Sequence, residues 1–185
     1  DVVREVIKTI KKILDEVRDH TRRSIERNEK LLRDIRKIVE DSIRRNRKLL
    51  DDAKKVAERD LSDKESLKRK VDEVIKELKD TLDELRKIAE DVIRELEKTL
   101  KENHELIREV IERLKELVAR LRSQVDEEMV KTLKKVVEDV ERELRRLNKE
   151  DEDTVREIAE AAERLVRDDE RTVREIEEAL KELVR

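Results

Sequence analysis

The amino-acid sequence predicts an all-α fold, an antiparallel, coiled-coil-like, up-down-up bundle of three helices of about 60 residues each. The 185-residue chain has no Gly or Pro, the usual residues of loops, and no aromatic residue. Charged residues make up 55% of it and apolar residues 35%. The apolar residues recur every three or four positions, as on one face of a helix, and only two short stretches interrupt that spacing.

The first helix is predicted over residues 1–60. Its apolar stripe consists of Val3, Ile7, Ile10, Leu14, Val17, Leu31, Ile35, Ile38, Leu49, Ala53 and Val56. The stripe stops at the stretch "RDLSDKES", where Asp60, Ser62 and Asp63 are residue types that favour the N-cap of a helix. Ser62 followed three residues later by Glu65 matches a capping box. A second helix therefore begins here.

The second helix is predicted over residues 63–122 and the third over residues 125–185. Between them lies "LRSQVDEE", in which Ser123 or Asp126 is suited to cap the third helix. The stretch "LNKEDEDT" at 147–154 is the one further place for a loop, but the spacing of three and four continues through it. We therefore predict an unbroken third helix.

Short connections force neighbouring helices to run antiparallel. The economical arrangement is one rod-like domain that spans residues 1–185. The apolar stripes carry three to four residues per heptad, a width that suits a three-helix core and also bundles of four or six helices. An alternative hypothesis is therefore an interaction module, one subunit of a homo- or hetero-oligomeric bundle with partner helices or copies of itself.

Polar residues interrupt all three stripes at one repeat distance. The pentads "SIERN" and "SIRRN" place Ser24 and Asn28, then Ser42 and Asn46, 18 residues apart on the first helix. The same distance separates Thr99 from Thr81 on the second helix, and Asp151 and Thr154 from Asp169 and Thr172 on the third. Eighteen residues make five helical turns, so each repeat returns to the same face.

Residues at one height in an antiparallel pair have a constant sum of residue numbers. Ser24 with Thr99 and Ser42 with Thr81 share one such sum, and the pairs between the second and third helices share another. The predicted layers are Ser24, Asn28, Thr99, Asp151 and Thr154, and Ser42, Asn46, Thr81, Asp169 and Thr172. Buried hydrogen bonds within each layer would penalise every other helix register. The alternative is that these side chains are solvated and lie at the edge of each stripe. Within the buried layers, we expect Asp151 and Asp169 to lie partly at the rim.

By the same arithmetic, His20, Asn103 and Asn148 form a third layer one turn from the first. We favour a neutral His20 that shares hydrogen bonds with Asn103. The alternatives are a proton switch, which would make the bundle pH-responsive, and a metal ligand. Because the layer offers mostly amides, we predict no metal and no cofactor. His104, beside Asn103, is expected at the boundary of the core.

The sequence argues against several classes of function. Basic and acidic residues number 49 and 52 and are interleaved, so no basic patch exists for nucleic acid. Apolar runs of two or three residues exclude a membrane span and favour a soluble chain. Ser24 and His20 lie four residues apart, but without a Gly-rich loop or oxyanion donors we predict no enzyme. The chain begins with Asp1 rather than Met, so we expect that it was processed or trimmed.

The sequence resembles computationally designed helical bundles with buried hydrogen-bond networks. The resemblance covers the whole chain and rests on the two pentads, the paired Thr81 and Thr99, the Asp-x-x-Thr sites and the polar loop "LSDKES". It implies a regular backbone, high stability and a structural scaffold without a native biochemical role. Two departures are the missing loop Gly or Pro and the missing aromatics. Spectrin-like repeats compete as a resemblance, but they carry Trp and have helices half as long.

Overall fold

The computed structural model describes residues 2–59 and 63–185 and contains three α-helices. They are α1 (Val2–Arg59), α2 (Lys64–Leu121) and α3 (Glu127–Val184), each of 58 residues. The all-α, three-helix prediction is confirmed. Helix α3 runs without a break through residues 147–154. The predicted caps Asp60 and Ser62 lie outside the described residues.

Aspartate side chains begin both of the later helices. The Asp63 carboxylate accepts a hydrogen bond from the Ser66 backbone N–H at 3.1 Å. Asp126 accepts one from the Met129 N–H at 2.9 Å. In each case the bond satisfies an amide that has no partner within its own helix. Of the two candidates for the start of α3, Asp126 is therefore the cap.

The helices pack as two compact units, each built from parts of all three. Unit 1 comprises Asp1–Glu29 and Glu95–Glu157, and unit 2 comprises Lys30–Arg94 and Ile158–Arg185. The prediction of one domain over the whole chain stays a prediction.

The core of unit 1 is a single cluster of branched aliphatic residues. Its fully buried members are Ile10, Leu133 and Leu144, at 0% exposure. Around the core, Arg18 of α1 forms an ion pair with Glu143 of α3. Lys115 of α2 pairs with Glu141 of α3 at 3.4 Å. Aliphatic side chains of similar size can fill such a core in more than one register. The shapes of these side chains therefore specify the register of the helices only weakly.

Unit 2 has two aliphatic clusters. One contains Leu78, Leu82 and Leu180, and the other contains Val39, Leu85 and Ala162. At the surface, α2 is joined to α3 by two ion pairs, Lys79 with Glu177 at 3.2 Å and Arg86 with Glu170 at 3.1 Å. Such exposed pairs are each worth at most about 1 kcal/mol. The polar residues of interest lie inside these aliphatic cores.

Candidate functional site: two buried polar clusters

Unit 1 contains a set of hydrogen-bonded side chains that we call the first polar cluster: His20, Ser24, Asn103 and Asp151. The Asn103 amide donates to Ser24 Oγ at 3.2 Å and to Asp151 Oδ2 at 3.2 Å. Ser24, Asn103 and Asp151 are 2%, 5% and 1% exposed. One side chain of α2 is thus bonded to both α1 and α3 inside the core.

His20 completes this cluster from the exposed side of α1. Its Nε2 lies 3.0 Å from Asn103 Oδ1. The carboxylate of Asp151 needs a donor, so the Asn103 NH₂ faces Asp151 and its oxygen faces His20. An amide oxygen only accepts, so His20 Nε2 carries the proton and donates. The geometry contains the hydrogen bond between His20 and Asn103, and the neutral state of His20 stays a prediction.

The Asp151 carboxyl is only partly satisfied. Oδ2 accepts the Asn103 bond, but Oδ1 has no partner among the described residues. Burial raises the pKa of Asp151 above its usual range, and the Asn103 hydrogen bond offsets part of that rise, as do His104 and His20 when they carry a proton. The expectation that this aspartate lies at the rim is wrong, because the side chain is fully enclosed.

Asn148, the remaining residue of the third predicted layer, bonds through its backbone to His104, the predicted boundary residue. His104 Nε2 donates to the Asn148 backbone carbonyl oxygen at 3.4 Å. The side-chain Oδ1 of Asn148 is buried and has no partner in the described residues. Asn103 thus joins Ser24 and Asp151 of the first layer, while Asn148 makes no bond with this set.

Three members of the first predicted layer remain outside the hydrogen-bonded set. The Thr154 hydroxyl donates to the Glu150 carbonyl of its own helix at 2.8 Å. Thr99 is half-buried, and Asn28 is 5% exposed. Among the described residues, no side-chain hydrogen bond joins Asn28 or Thr99 to the cluster.

Unit 2 contains the second polar cluster: Ser42, Asn46 and Asp169. These side chains are 2%, 3% and 0% exposed. Within the described residues, Ser42 Oγ, Asn46 Nδ2 and both carboxyl oxygens of Asp169 lack a hydrogen bond of normal geometry. Burial raises the pKa of Asp169, and the neighbouring Ser42 hydroxyl lowers it in part. This aspartate, too, is buried rather than at the rim.

The threonines of the second predicted layer bond within their own helices. The Thr81 hydroxyl donates to the Glu77 carbonyl at 2.9 Å, and the Thr172 hydroxyl donates to the Asp168 carbonyl at 3.0 Å. Both threonines are half-buried. This bond to the carbonyl four residues earlier is a local alternative to bonding across helices.

The position 18 residues before Asn103 explains the difference between the clusters. Ser24 and Asp151 recur as Ser42 and Asp169, but the counterpart of Asn103 is Leu85. Leu85 is 4% exposed and packs with the aliphatic core. Unit 2 therefore repeats the serine and the aspartate without the amide that bonds to both in unit 1.

Thr21 is a buried polar residue that the sequence reasoning missed. It is 1% exposed, and its hydroxyl has no partner among the described residues. The signal was available, because Thr21 continues the spacing of three and four between Val17 and Ser24. Its counterpart 18 residues later is the apolar Val39.

The geometry of the first cluster limits its chemistry. Ser24 Oγ accepts from Asn103, and His20 donates to Asn103, so the serine and histidine are not arranged as a nucleophile with its base. In the part of the chain that is described, no three His, Cys or acidic side chains are grouped for a metal ion. Across the same residues, every helix is too charged to cross a membrane.

Comparison with known proteins supports the fold. No family model and no curated protein sequence matches the chain. A solved structure described as a computationally designed three helix bundle has a TM-score of 0.65 and 24% sequence identity with it. That alignment covers 98% of this chain and 88% of the other. The similarity shows a shared three-helix architecture.

Proposed function

We propose that the chain is a designed structural scaffold whose buried polar clusters specify the register of its helices. Three features support the proposal: the 18-residue repeat of polar residues on each helix, the composition without loop-forming or aromatic residues, and the architecture shared with a designed bundle. The proposal includes no catalytic role and no cofactor.

The observation that carries the proposal is the pair of hydrogen bonds from Asn103 to Ser24 and Asp151. Each bond reaches a different neighbouring helix. Moving one helix by a turn along its axis shifts it by about 5.4 Å, which separates these groups and leaves them buried without partners. Each unpaired group then costs about 1–3 kcal/mol. A uniform aliphatic core imposes no comparable penalty on a wrong register.

The test is a distance measurement with spin labels inside unit 1. Labels at the exposed positions Arg22 of α1 and Lys149 of α3 report the relative position of these helices. We expect one narrow distance for the parent chain. A variant with Ser24→Ala, Asn103→Leu and Asp151→Leu is expected to give a broader or multiple distribution, even when it is more stable to denaturant.

The matched control carries three substitutions at exposed positions of the same helices, Arg23→Ala, Lys101→Ala and Glu152→Ala. It should keep the single narrow distance. If the apolar variant also keeps one narrow distance, the polar cluster does not specify register and the proposal fails.

A second candidate function is an interaction module, and exposed apolar side chains favour it. Ile38 and Ile88 of unit 2 are 39% and 41% exposed, and Leu106 of unit 1 is 39% exposed. Such side chains would gain contacts in an assembly of several chains or with partner helices. Light scattering on the purified chain distinguishes the two: the mass of one chain rules out self-association. An assembly that dissociates on Ile38→Lys with Ile88→Lys would support it.

A further inference from the structure

The Asp169 carboxyl occupies an unusual environment for an acid. It is fully buried in unit 2, and neither oxygen accepts a hydrogen bond of normal geometry from the described residues. The Ser42 hydroxyl lies beside it, and Ser42 and Asn46 are both buried with unpaired atoms of their own. An ionised carboxylate needs donors or a countercharge in such a place, whereas the neutral acid needs neither.

Among the described residues, no charged group of the surrounding helices forms an ion pair with Asp169. Burial raises the pKa of this carboxyl, and the Ser42 hydroxyl lowers it in part. Arg86 of α2 is paired at the surface with Asp83 and Glu170, and Lys79 is paired with Glu177. Other charged residues close to the cluster in sequence are Asp41, Arg44, Arg45 and Arg47 on α1 and Arg167, Asp168 and Arg171 on α3.

We propose that Asp169, with the Ser42 hydroxyl beside it, forms a proton-binding site that makes the folded chain more stable as the solution becomes mildly acidic. The protonated carboxyl is uncharged and carries a donor of its own, and Ser42 Oγ beside it is an acceptor. In unit 1 the Asn103 amide supplies a donor to the equivalent aspartate, so proton binding there contributes less. This proton-binding site goes beyond the register function, because it makes the stability of the folded chain depend on the pH of the solution.

The direction of the pH effect follows from the raised pKa of Asp169. The unfolded chain releases this proton at the ordinary aspartate value, about 3.9, and the folded chain releases it at higher pH. The stabilisation is therefore complete below the unfolded value and is lost as the pH rises through the folded one. Surface glutamates act oppositely: ion pairs and hydrogen bonds lower the pKa of Glu141 and Glu177, so acid removes their stabilisation.

The experiment compares the parent chain with Asp169→Asn by guanidinium unfolding between pH 4.5 and 7.5, so that the surface contributions cancel. We expect the variant to be the more stable chain at pH 7.5. The ratio of the two unfolding constants should then shift in favour of the parent as the pH falls, by up to about tenfold per pH unit for one proton. A ratio independent of pH overturns the proposal.

A direct measurement covers the case in which the variant does not fold. Carbon-13 NMR of the side-chain carboxyls in the parent chain follows the titration of Asp169 beside that of the exposed Asp168. We expect Asp169 to titrate at clearly higher pH than Asp168. Titration of both at the same pH overturns the proposal, and it leaves the register function, which is tested in unit 1, unaffected.

Discussion

The first and second polar clusters share their serine and aspartate but differ in what joins them. In unit 1, Asn103 donates to both Ser24 and Asp151. In unit 2, Leu85 stands at the equivalent position, and Ser42 and Asp169 are buried without normal hydrogen bonds to the described residues. Repeating residue types along a helix therefore does not repeat their hydrogen bonds. A single amide on α2 decides whether the buried serine and aspartate share a hydrogen-bond donor.

The largest effect is expected when unit 1 is made like unit 2 by Asn103→Leu. The substitution leaves Asp151 and Ser24 buried without their donor, and the new apolar contacts offset only part of that cost. We expect the free energy of unfolding at pH 7.5 to fall by about 1–3 kcal/mol, measured by guanidinium denaturation.

Two further measurements test this explanation. Because a protonated Asp151 needs no donor, the stability lost in Asn103→Leu should be smaller at pH 5 than at pH 7.5. The matched control is Lys101→Leu, an exposed position of the same helix, which should change stability little. An Asn103→Leu variant as stable as the parent at neutral pH would show that the amide is energetically dispensable.

The reverse exchange, Leu85→Asn, gives unit 2 the amide of unit 1. Losing the buried leucine costs about 1.5–3 kcal/mol, and two new hydrogen bonds return about 1 kcal/mol each. We therefore expect a net loss of no more than about 1 kcal/mol, together with a lower titration midpoint for Asp169.

The control for this exchange is Leu180→Asn, at a fully buried position of unit 2 among aliphatic residues. The cluster around Leu180 is aliphatic, so the new amide has no buried serine or aspartate of that cluster to bond with. Leu180→Asn should therefore be clearly more destabilising than Leu85→Asn. If both variants lose the same stability and Leu85→Asn leaves the titration of Asp169 unchanged, the amide introduced at position 85 does not reach Ser42 or Asp169.

The fold was predictable from the sequence because its signals are local. The three-four spacing of apolar residues defines each helix, and an aspartate at the end of each interruption caps the next one. The observed ends, such as Arg59 and Leu121, fall within a few residues of the predicted ones. Nothing in these signals depends on how the helices meet.

The hydrogen-bond partners were harder to predict, because register arithmetic places a residue only to within about one turn. Asn103 was assigned to a separate layer, yet its side chain reaches Ser24 and Asp151 of the neighbouring layer. Threonine adds a second ambiguity, since its hydroxyl bonds either across helices or back to its own helix. Thr81 and Thr154 bond back to their own helices.

A smaller effect is expected from Thr21→Val, which copies Val39 of unit 2 into unit 1. The Thr21 hydroxyl is buried without a partner among the described residues, and valine has nearly the same shape. Removing the unpaired hydroxyl should raise the free energy of unfolding by about 1 kcal/mol. The reverse substitution, Val39→Thr, should lower it by a similar amount, and calorimetry or denaturation measures both. A loss of stability in Thr21→Val would indicate a partner for the hydroxyl.

The smallest effect is expected from His20→Gln. His20 lies on the exposed side of the first cluster, where water replaces a lost hydrogen bond, and the glutamine amide is itself a donor for Asn103. We expect a change below about 1 kcal/mol. The His20 Nε2 donates whether the ring is neutral or charged, so acidification does not remove its bond to Asn103. The far-UV circular dichroism of the parent should therefore stay constant between pH 7 and 5. A loss of helicity in this range that disappears in His20→Gln would instead make His20 a proton switch.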